Sequence, residues 1–560
     1  MKDKILHEKR EFESVRALIE EVPELYGDKP AFSYRTKHSD AESVKKSYIE
    51  LRDDVRALAT ELISRGLAGK HICVIGKLSY EWVLVYYATL SIGSVLVPLD
   101  RDWGAAELSD TAAKADIAAL FCEAEIADKC AEVASFVGID APVVFEAEDS
   151  FGAWLEGGRV KFEGGDRSYF DVKIDTNVLA LLVFTSGTTG KGKGVMLSQK
   201  NILSDMADVI PYIDFSDKSV AVLPPHHTYG SSVTILGQTS IGCEVYISSG
   251  LRYVAKEMKQ ESPGHLILVP LYLETFYRKI TGGIKDKGKE KTVKRLMKLC
   301  DVLHLGKKIR RRLFSSILES FGGNVKMIIS GGAPIAQDIM DLFTALGIDV
   351  LNGYGITECA PIIAVNHNRF ITKGSVGPVL TIDDVVIVDP NEDGEGEIIV
   401  KGSNVMLGYY KDEEATKDAF TDDGYFKTGD YGKLDKNGVL YITGRKKNLI
   451  ILSNGKNVYP EEIESELIAV PGVLEAIVYE GQSKRGIMHN AIVAEIFPDY
   501  DYMEKNGVAD VRAYLQGYVD TYNKTAVAYK KIAILKVRTE EFPKNTLRKI
   551  QRFKLDMSID

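Results

Sequence analysis

A chain of 560 residues with net charge -10, 45% apolar and 27% charged residues has the balance of an ordinary globular protein and, at roughly 150 residues per domain, room for three or four folding units. Its six cysteines are scattered without a C-x-x-C pair, which argues against a zinc site or a disulfide framework and fits a reducing cytoplasm. The acidic excess argues against general nucleic-acid binding, the charged start MKDKILHEKREFESVR has no apolar stretch of the signal-peptide kind, and no apolar run reaches the ~18 residues that a membrane span needs.

In chain order, HICVIG, SVLVPLD, IAALFC, APVVFEA, VLALLVF, AVLPP and HLILVP read as short buried strands. Amphipathic stretches such as AAELSDTAAKAD separate several of them, so residues 45 to 350 predict parallel sheets covered by helices. From Lys285 to Arg312 there are 12 Lys or Arg against 3 acids, a local cationic face that reads either as solvated helix surface or as a peripheral contact for an anionic membrane. From about residue 376 the texture turns β-rich, and DVVIVDPNEDGEGEIIVKG predicts a hairpin. The pattern breaks at GRKKN, residues 444–448, after which Pro460 and its neighbouring acids mark a helix start. EAIVYE and AIVAEIF then read as strands of a last, smaller unit.

The densest signal is TSGTTGKGKGV, residues 185–195, directly after the apolar run VLALLVF. Glycines expose backbone N–H groups that converge on an anion, and lysine adds a full charge. The loop is built for phosphate. Gly187, Gly192 and Lys193 nearly match the P-loop of nucleotide hydrolases, but the metal-holding Ser or Thr is replaced by Gly194.

T-S-G-T-T-G followed by K-G resembles the phosphate loop of the adenylate-forming superfamily, which includes acyl-CoA synthetases, luciferases and the adenylation domains of peptide synthetases. Further segments resemble that family's motifs in order: PPHHTYG (224–230), SGGAP (330–334), NGYGITE (352–358), YFKTGD (425–430), GRKKNLIILSNGKNVYPEEIE (444–464) and FPKNTLRKIQR (542–552). Gly192 stands where the family commonly has Pro, and Arg548 where a Gly often precedes the terminal lysine. Ile550 and Arg552 put Lys549 in register with that lysine; Lys544 is the weaker candidate.

The resemblance implies an α/β fold: an N-terminal domain of parallel α/β sheets over residues 1–446, with a small β-barrel-like subdomain at about 376–443, and a small mobile α+β C-terminal domain over 447–560, hinged at Lys447. It implies that Thr185, Ser186, Gly187, Thr188, Thr189, Gly190 and Lys193 hold the ATP phosphates. Gly331, Gly332, Ala333, Asn352, Gly353 and Tyr354 would line adenine, and Asp430 and Arg445 the ribose. Glu358, with Thr188, would hold Mg2+; Thr357 would contact the α-phosphate; Lys549 would bridge carboxylate and phosphate, with His227 as a further catalytic candidate. Ser453, Asn454, Gly455, Lys456 and Asn457 would meet CoA, and Tyr229, Gly230 and Val233 would be walls of an acyl pocket.

The expected reaction joins an acid to AMP with loss of pyrophosphate and passes the acyl group to a thiol. Relatives that activate amino acids place an Asp after the His motif; YGSSVTILGQTSIG contains no acid, which argues against an α-amino acid. The hinge stretch resembles the long-chain acyl-CoA synthetase branch, so the expected substrates are a fatty acid, ATP and CoA, in the cytoplasm or at a membrane surface. An acyl carrier protein as acceptor stays open, as does an inactive nucleotide or acyl binder, although such a binder would be expected to lack Lys549 or Glu358.

Overall fold

The computed structural model describes residues 5–185, 192–250, 252–452, 457–481, 491–544 and 550–559. Two large, mostly parallel sheets carry the N-terminal part. One has seven strands and includes His71–Ile75, Val95–Leu99, Ile117–Cys122 and Leu179–Thr185; the other has eight and includes Lys218–Ala221, His265–Leu268, Met327–Ser330 and Asp349–Gly355. The apolar runs form strands because they are buried on both faces between helices; Val95–Leu99, for example, is buried throughout. The strand expected at AVLPP ends at Ala221, since Pro224 and Pro225 have no N–H to give a ladder.

A five-stranded antiparallel sheet follows, containing Asp383–Val388, Gly396–Gly402, Phe426–Leu434 and Val439–Arg445. The expected hairpin is its Asp383–Val388 and Gly396–Gly402 pair. The strand Gly408–Tyr409 leaves this sheet and pairs with Val195 and Met196 of the seven-stranded one. After Lys446–Asn448, a three-stranded sheet of Val473–Gly481, Ala491–Pro498 and Ile534–Val537 packs against the helices Pro460–Ile468 and Val511–Thr525 around its own apolar cluster, which includes Ile463, Val478, Ala494 and Val519.

One helix ties these parts together. Gln199–Val209 starts at a capping box in which Ser198 and Asn201 satisfy each other's backbone N–H groups. Asn201 Nδ2 also donates to the carbonyls of Ser403 (2.7 Å) and Val405 (3.0 Å). Asp205 Oδ2 accepts from the Ile362 N–H at 3.1 Å and Asp208 Oδ2 from the Thr381 N–H at 2.6 Å. Polar groups this deeply buried are mostly hydrogen-bonded, and here the bonds hold Ile362, Thr381 and the 403–405 segment, which follow Glu358 in the chain. Met406 N–H then donates to the Glu358 carbonyl at 2.8 Å.

Candidate active site

The strands that flank the glycine-rich segment pair antiparallel. Thr185 and Lys193 are cross-strand partners at the ends of Leu179–Thr185 and Lys193–Ser198. A P-loop would run from its strand into a helix whose N-terminus faces the phosphates; here the chain returns as a strand, so that reading fails on topology as well as at Gly194. Ser186, Gly187, Thr188, Thr189 and Gly190 lie outside the described residues. Lys193 Nζ sits 4.5 Å from the centroid of the Tyr409 ring, a cation–π contact. The hydroxyl of that ring donates to Glu358 Oε1 at 3.1 Å. Tyr409 thus links the lysine of the hairpin to the carboxylate of NGYGITE. Burial pushes the Glu358 carboxyl above its ordinary range, against the pull of the Tyr409 hydroxyl and Arg445.

A second set joins two other sheets. Asp430 and Arg445 are cross-strand partners in the five-stranded sheet, and Arg445 Nε lies 3.0 Å from Asp430 Oδ1. Tyr354, at the end of Asp349–Gly355 in the eight-stranded sheet, donates its hydroxyl to Asp430 Oδ2 at 2.7 Å. Burial holds the Tyr354 phenol well above its ordinary range, so it stays a donor. Each carboxylate oxygen keeps a free acceptor direction, which leaves Asp430 able to take further hydroxyls.

Gly331, Gly332 and Ala333 follow the carboxyl end of Met327–Ser330, beside Asn352, whose strand partner is Ser330. Ligands of open α/β sheets bind beyond such carboxyl ends. Tyr229 braces this loop from behind: its ring lies 3.4 Å from the Cβ position of Gly331, and its hydroxyl donates to Leu268 O at 3.2 Å and Ile329 O at 3.4 Å. Gly353 follows Asn352 in the same strand, and Thr357 opens the short turn that carries Glu358. Gly230 and Val233 lie in a π-helical stretch, Tyr229–Gly237; a Cβ on Gly230 would fall 2.2 Å from the Pro224 carbonyl, so only glycine fits.

The His227 and His226 rings lie 4.2 Å apart, tilted at 46°, and His226 Nε2 lies 3.5 Å from Asp100 Oδ2. Both partners are buried. Burial lowers the His226 pKa, while Asp100 and Asp102 pull it back up. Asp100 thus faces His226 without hydrogen-bonding its Nε2, and His226 lies against His227. Asp100→Asn, which removes the charge facing His226, is expected to lower kcat by no more than about fivefold, equivalent to about 1 kcal/mol. Steady-state kinetics beside a thermal unfolding curve checks this; a fall in stability with unchanged kcat would make the pair purely structural.

The C-terminal residues are divided. Asn457 lies in the short strand Asn457–Val458, paired with Ile450–Ile451; Ser453, Asn454, Gly455 and Lys456 lie outside the described residues, as does Lys549. Lys544 and Ile550 form an isolated antiparallel bridge. Lys544 is engaged by Glu475 and, at 2.8 Å, by Glu541, while Arg552 pairs with Glu464 and donates to Val478 O at 2.7 Å. Lys447 sits exposed in the turn Lys446–Asn448, between the Lys446–Glu397 ion pair (2.5 Å) and the Asn448–Glu461 hydrogen bond (2.7 Å).

Tyr409, Asp100 and Asn201 were invisible as site residues in the sequence. Tyr409 belongs to a tyrosine pair in LGYYKDEEAT, and that aromatic pair in a polar stretch is the one signal that could have flagged it. Asp100 and Asn201 act on partners far away in the chain, which no local pattern shows.

Comparison with known proteins agrees with this geometry. The family model described as AMP-binding enzyme matches residues 19–410. The long-chain-fatty-acid–CoA ligase FadD15 of Mycobacterium bovis is 28% identical over 455 residues, 77% of this chain and 74% of that protein. Fatty acyl-CoA synthetase B of Dictyostelium discoideum is 29% identical over 519 residues, 84% and 75% of the two chains. Among solved structures, ATP-bound MatB from Rhodopseudomonas palustris superposes with a TM-score of 0.75 at 26% identity, covering 96% of this chain and 97% of that one. The fold is shared further with the anthranilate CoA ligase AuaEII in complex with anthranoyl-AMP, at a TM-score of 0.78, 17% identity and 97% coverage of both chains. With a family match that spans residues 19–410, most of its length, the chain belongs to the AMP-binding enzyme family.

Proposed function

We propose that the protein activates a fatty acid with ATP, forming an acyl adenylate and pyrophosphate, and then transfers the acyl group to CoA. The observation that carries this reading is the Lys193–Tyr409–Glu358 link. It brings a cation from the hairpin and a half-buried carboxylate together beside Tyr354, Asp430 and Arg445, as an enzyme that must hold a nucleotide triphosphate against an anionic acid requires.

In this reading Lys193 and the N–H groups of the hairpin turn take the β- and γ-phosphates. Asp430 and Arg445 fix the ribose, and Tyr354 and the Gly331–Ala333 loop sandwich the adenine. Thr357 donates to the α-phosphate. Lys549 is brought against the carboxylate and the α-phosphate oxygens, offsetting their repulsion while the acid oxygen attacks phosphorus and the bond to pyrophosphate breaks. A lone protein carboxylate completed by substrate phosphates is the donor set that suits Mg2+, and Glu358 fits that part; when bound, the ion supplies charge neutralisation at the phosphates. In the second step the thiol sulfur attacks the acyl carbon, loses its proton, and AMP leaves.

Two observations favour a fatty acid. The curated relatives are named for that substrate, and Tyr229–Gly237 offers no acid to pair a substrate amine, while its Val233, Ile235 and Leu236 are buried. The division into 1–446 and 447–560, with Lys447 as the hinge, belongs to the same proposal. It is supported by the separate apolar cluster of the C-terminal sheet and by a cavity of ≈ 220 Å³ between Leu271, Tyr272 and Lys279 and the C-terminal Glu541 and Lys544, where the two units meet without close packing.

The test is pyrophosphate release from ATP and Mg2+ across fatty acids of graded length, with and without CoA. Acyl-CoA and AMP in equal amounts are expected; turnover only with a phosphopantetheinylated carrier protein would move the acceptor, and no pyrophosphate with any acid would refute the reading. Lys447→Pro is expected to spare the pyrophosphate burst and impair thioester formation. Equal loss of both steps would count against the hinge.

A further inference from the structure

The basic segment holds more than charge. Most of it forms two helices, Glu290–Val302 and Lys307–Leu313. On the first, Cys300 is fully buried and Val293, Leu296 and Met297 pack against the core of the eight-stranded sheet. With 3.6 residues per turn, Lys291, Arg295, Lys298 and Val302 fall within an arc of about 60° on the opposite side, with Leu299 beside them. Leu299, Val302 and Leu303 are 50%, 66% and 56% exposed, and Ile309 and Leu313 on the next helix are 50% and 44% exposed. Five large apolar side chains left in water within one short segment is a patch rather than scatter.

The cations are also unequal. Lys294, Lys307 and Arg310 are held by Glu290, Asp349 and Asp301, and Arg311 donates to the carbonyls of Val325 and Gly323. Among the described residues, Lys291, Arg295, Lys298, Lys308 and Arg312 have no ion-pair partner. The same exposed face therefore presents unpaired cations interleaved with apolar side chains.

We propose that this face, Lys291, Arg295, Lys298, Leu299 and Val302 with the adjoining Leu303, docks on the surface of an anionic phospholipid bilayer. A lipid interface accepts both components: headgroup charge attracts the lysines and arginines, and the acyl boundary takes the leucines and valine. A symmetric pairing of two copies through this face would set cation against cation. Nucleic acid would engage the cations and leave the apolar group in water. The segment's excess, 12 basic residues against 3 acids, stands in a chain of net charge -10, so the attraction is local and fixes which face meets the membrane.

The test is flotation of the full-length protein with vesicles of phosphatidylcholine alone or mixed with phosphatidylglycerol. No acid, ATP or CoA is present, so the result is independent of the ligase reading. Binding is expected only to the phosphatidylglycerol vesicles, weakening as salt rises. Lys291→Glu, Arg295→Glu and Lys298→Glu together should lower the partition coefficient at least about tenfold, while the thermal unfolding midpoint stays put because all three side chains are exposed. Leu299→Ser with Val302→Ser should remove the part of the binding that survives salt. No binding to either vesicle, equal binding to both, undiminished binding by the charge-reversed protein, or self-association through this face that vesicles do not displace would each overturn the proposal.

Discussion

Glu358→Gln is expected to lower the rate of adenylate formation by about 10²–10³-fold, the usual effect of losing one preorganised electrostatic group at a reacting phosphoryl or acyl centre, and at the same time to make the protein harder to unfold. Both effects come from one property. The carboxyl is buried against Tyr409, and burial raises its pKa. A carboxyl whose folded pKa lies above its unfolded one favours the fold while protonated, and that contribution is lost as pH rises through the folded value. The amide keeps an acceptor for the Tyr409 hydroxyl and has no charge to desolvate. The gap in unfolding midpoint between variant and wild type should therefore widen from acidic to mildly alkaline pH. Pyrophosphate release and thermal unfolding across that range check the pair of effects; a variant less stable than wild type at alkaline pH would show that the carboxylate is satisfied in the resting site.

Gly355→Ala is the second large effect. Gly355 pairs with Ile362 where Asp349–Gly355 meets the antiparallel strand Ile362–Val365. A Cβ at 355 would lie 1.9 Å from the Pro361 carbonyl oxygen and 3.0 Å from Ile362 Cα. Both are backbone atoms, fixed in turn by the Ile356 N–H to Pro361 O bond at 2.8 Å and by Asp205 on the Ile362 N–H. The strands must separate, at a cost of about 3 kcal/mol, and the turn carrying Thr357 and Glu358 moves with them. Chemical denaturation should show the loss, and nucleotide binding should fall with it. Gly282→Ala is the control. It lies in the helix Pro270–Asp286 with nothing within 4 Å of its Cβ position, and there alanine should add up to about 1 kcal/mol of stability. Equal losses in both variants would mean that the close approach at 355 is not what matters.

Much of this was legible in the sequence, for physical reasons. Runs such as HICVIG and IAALFC have to be buried on both faces, so they could only be inner strands, and they are. Glu358, Asp430 and Arg445 stood out because they sit in segments that resemble motifs of the adenylate-forming superfamily, and the structure brings Tyr354, Asp430 and Arg445 into direct contact. The pairing of Gly408–Tyr409 with Val195 and Met196 was not legible, because a two-residue strand has no periodicity to read. That pairing delivers Tyr409 to Glu358. Asp100 was hidden in the same way: its partner His226 comes from the other large sheet. The hairpin at the phosphate loop joins these cases. KGVMLS has three apolar residues in a row and no alternation, so only the ladder from Leu179–Ser198 to Thr185–Lys193 reveals it as a strand and fixes its direction.

The pieces of the site hang from three different sheets: Lys193 from the seven-stranded, Tyr354 from the eight-stranded, Asp430 and Arg445 from the antiparallel one. In the proposed reading a nucleotide touches all of them, and it would then be a rivet as well as a substrate. Its affinity would become cohesion between layers, about 2.7 kcal/mol once its concentration reaches 100 times its dissociation constant, and a starved enzyme would be mechanically looser at its seams than a working one.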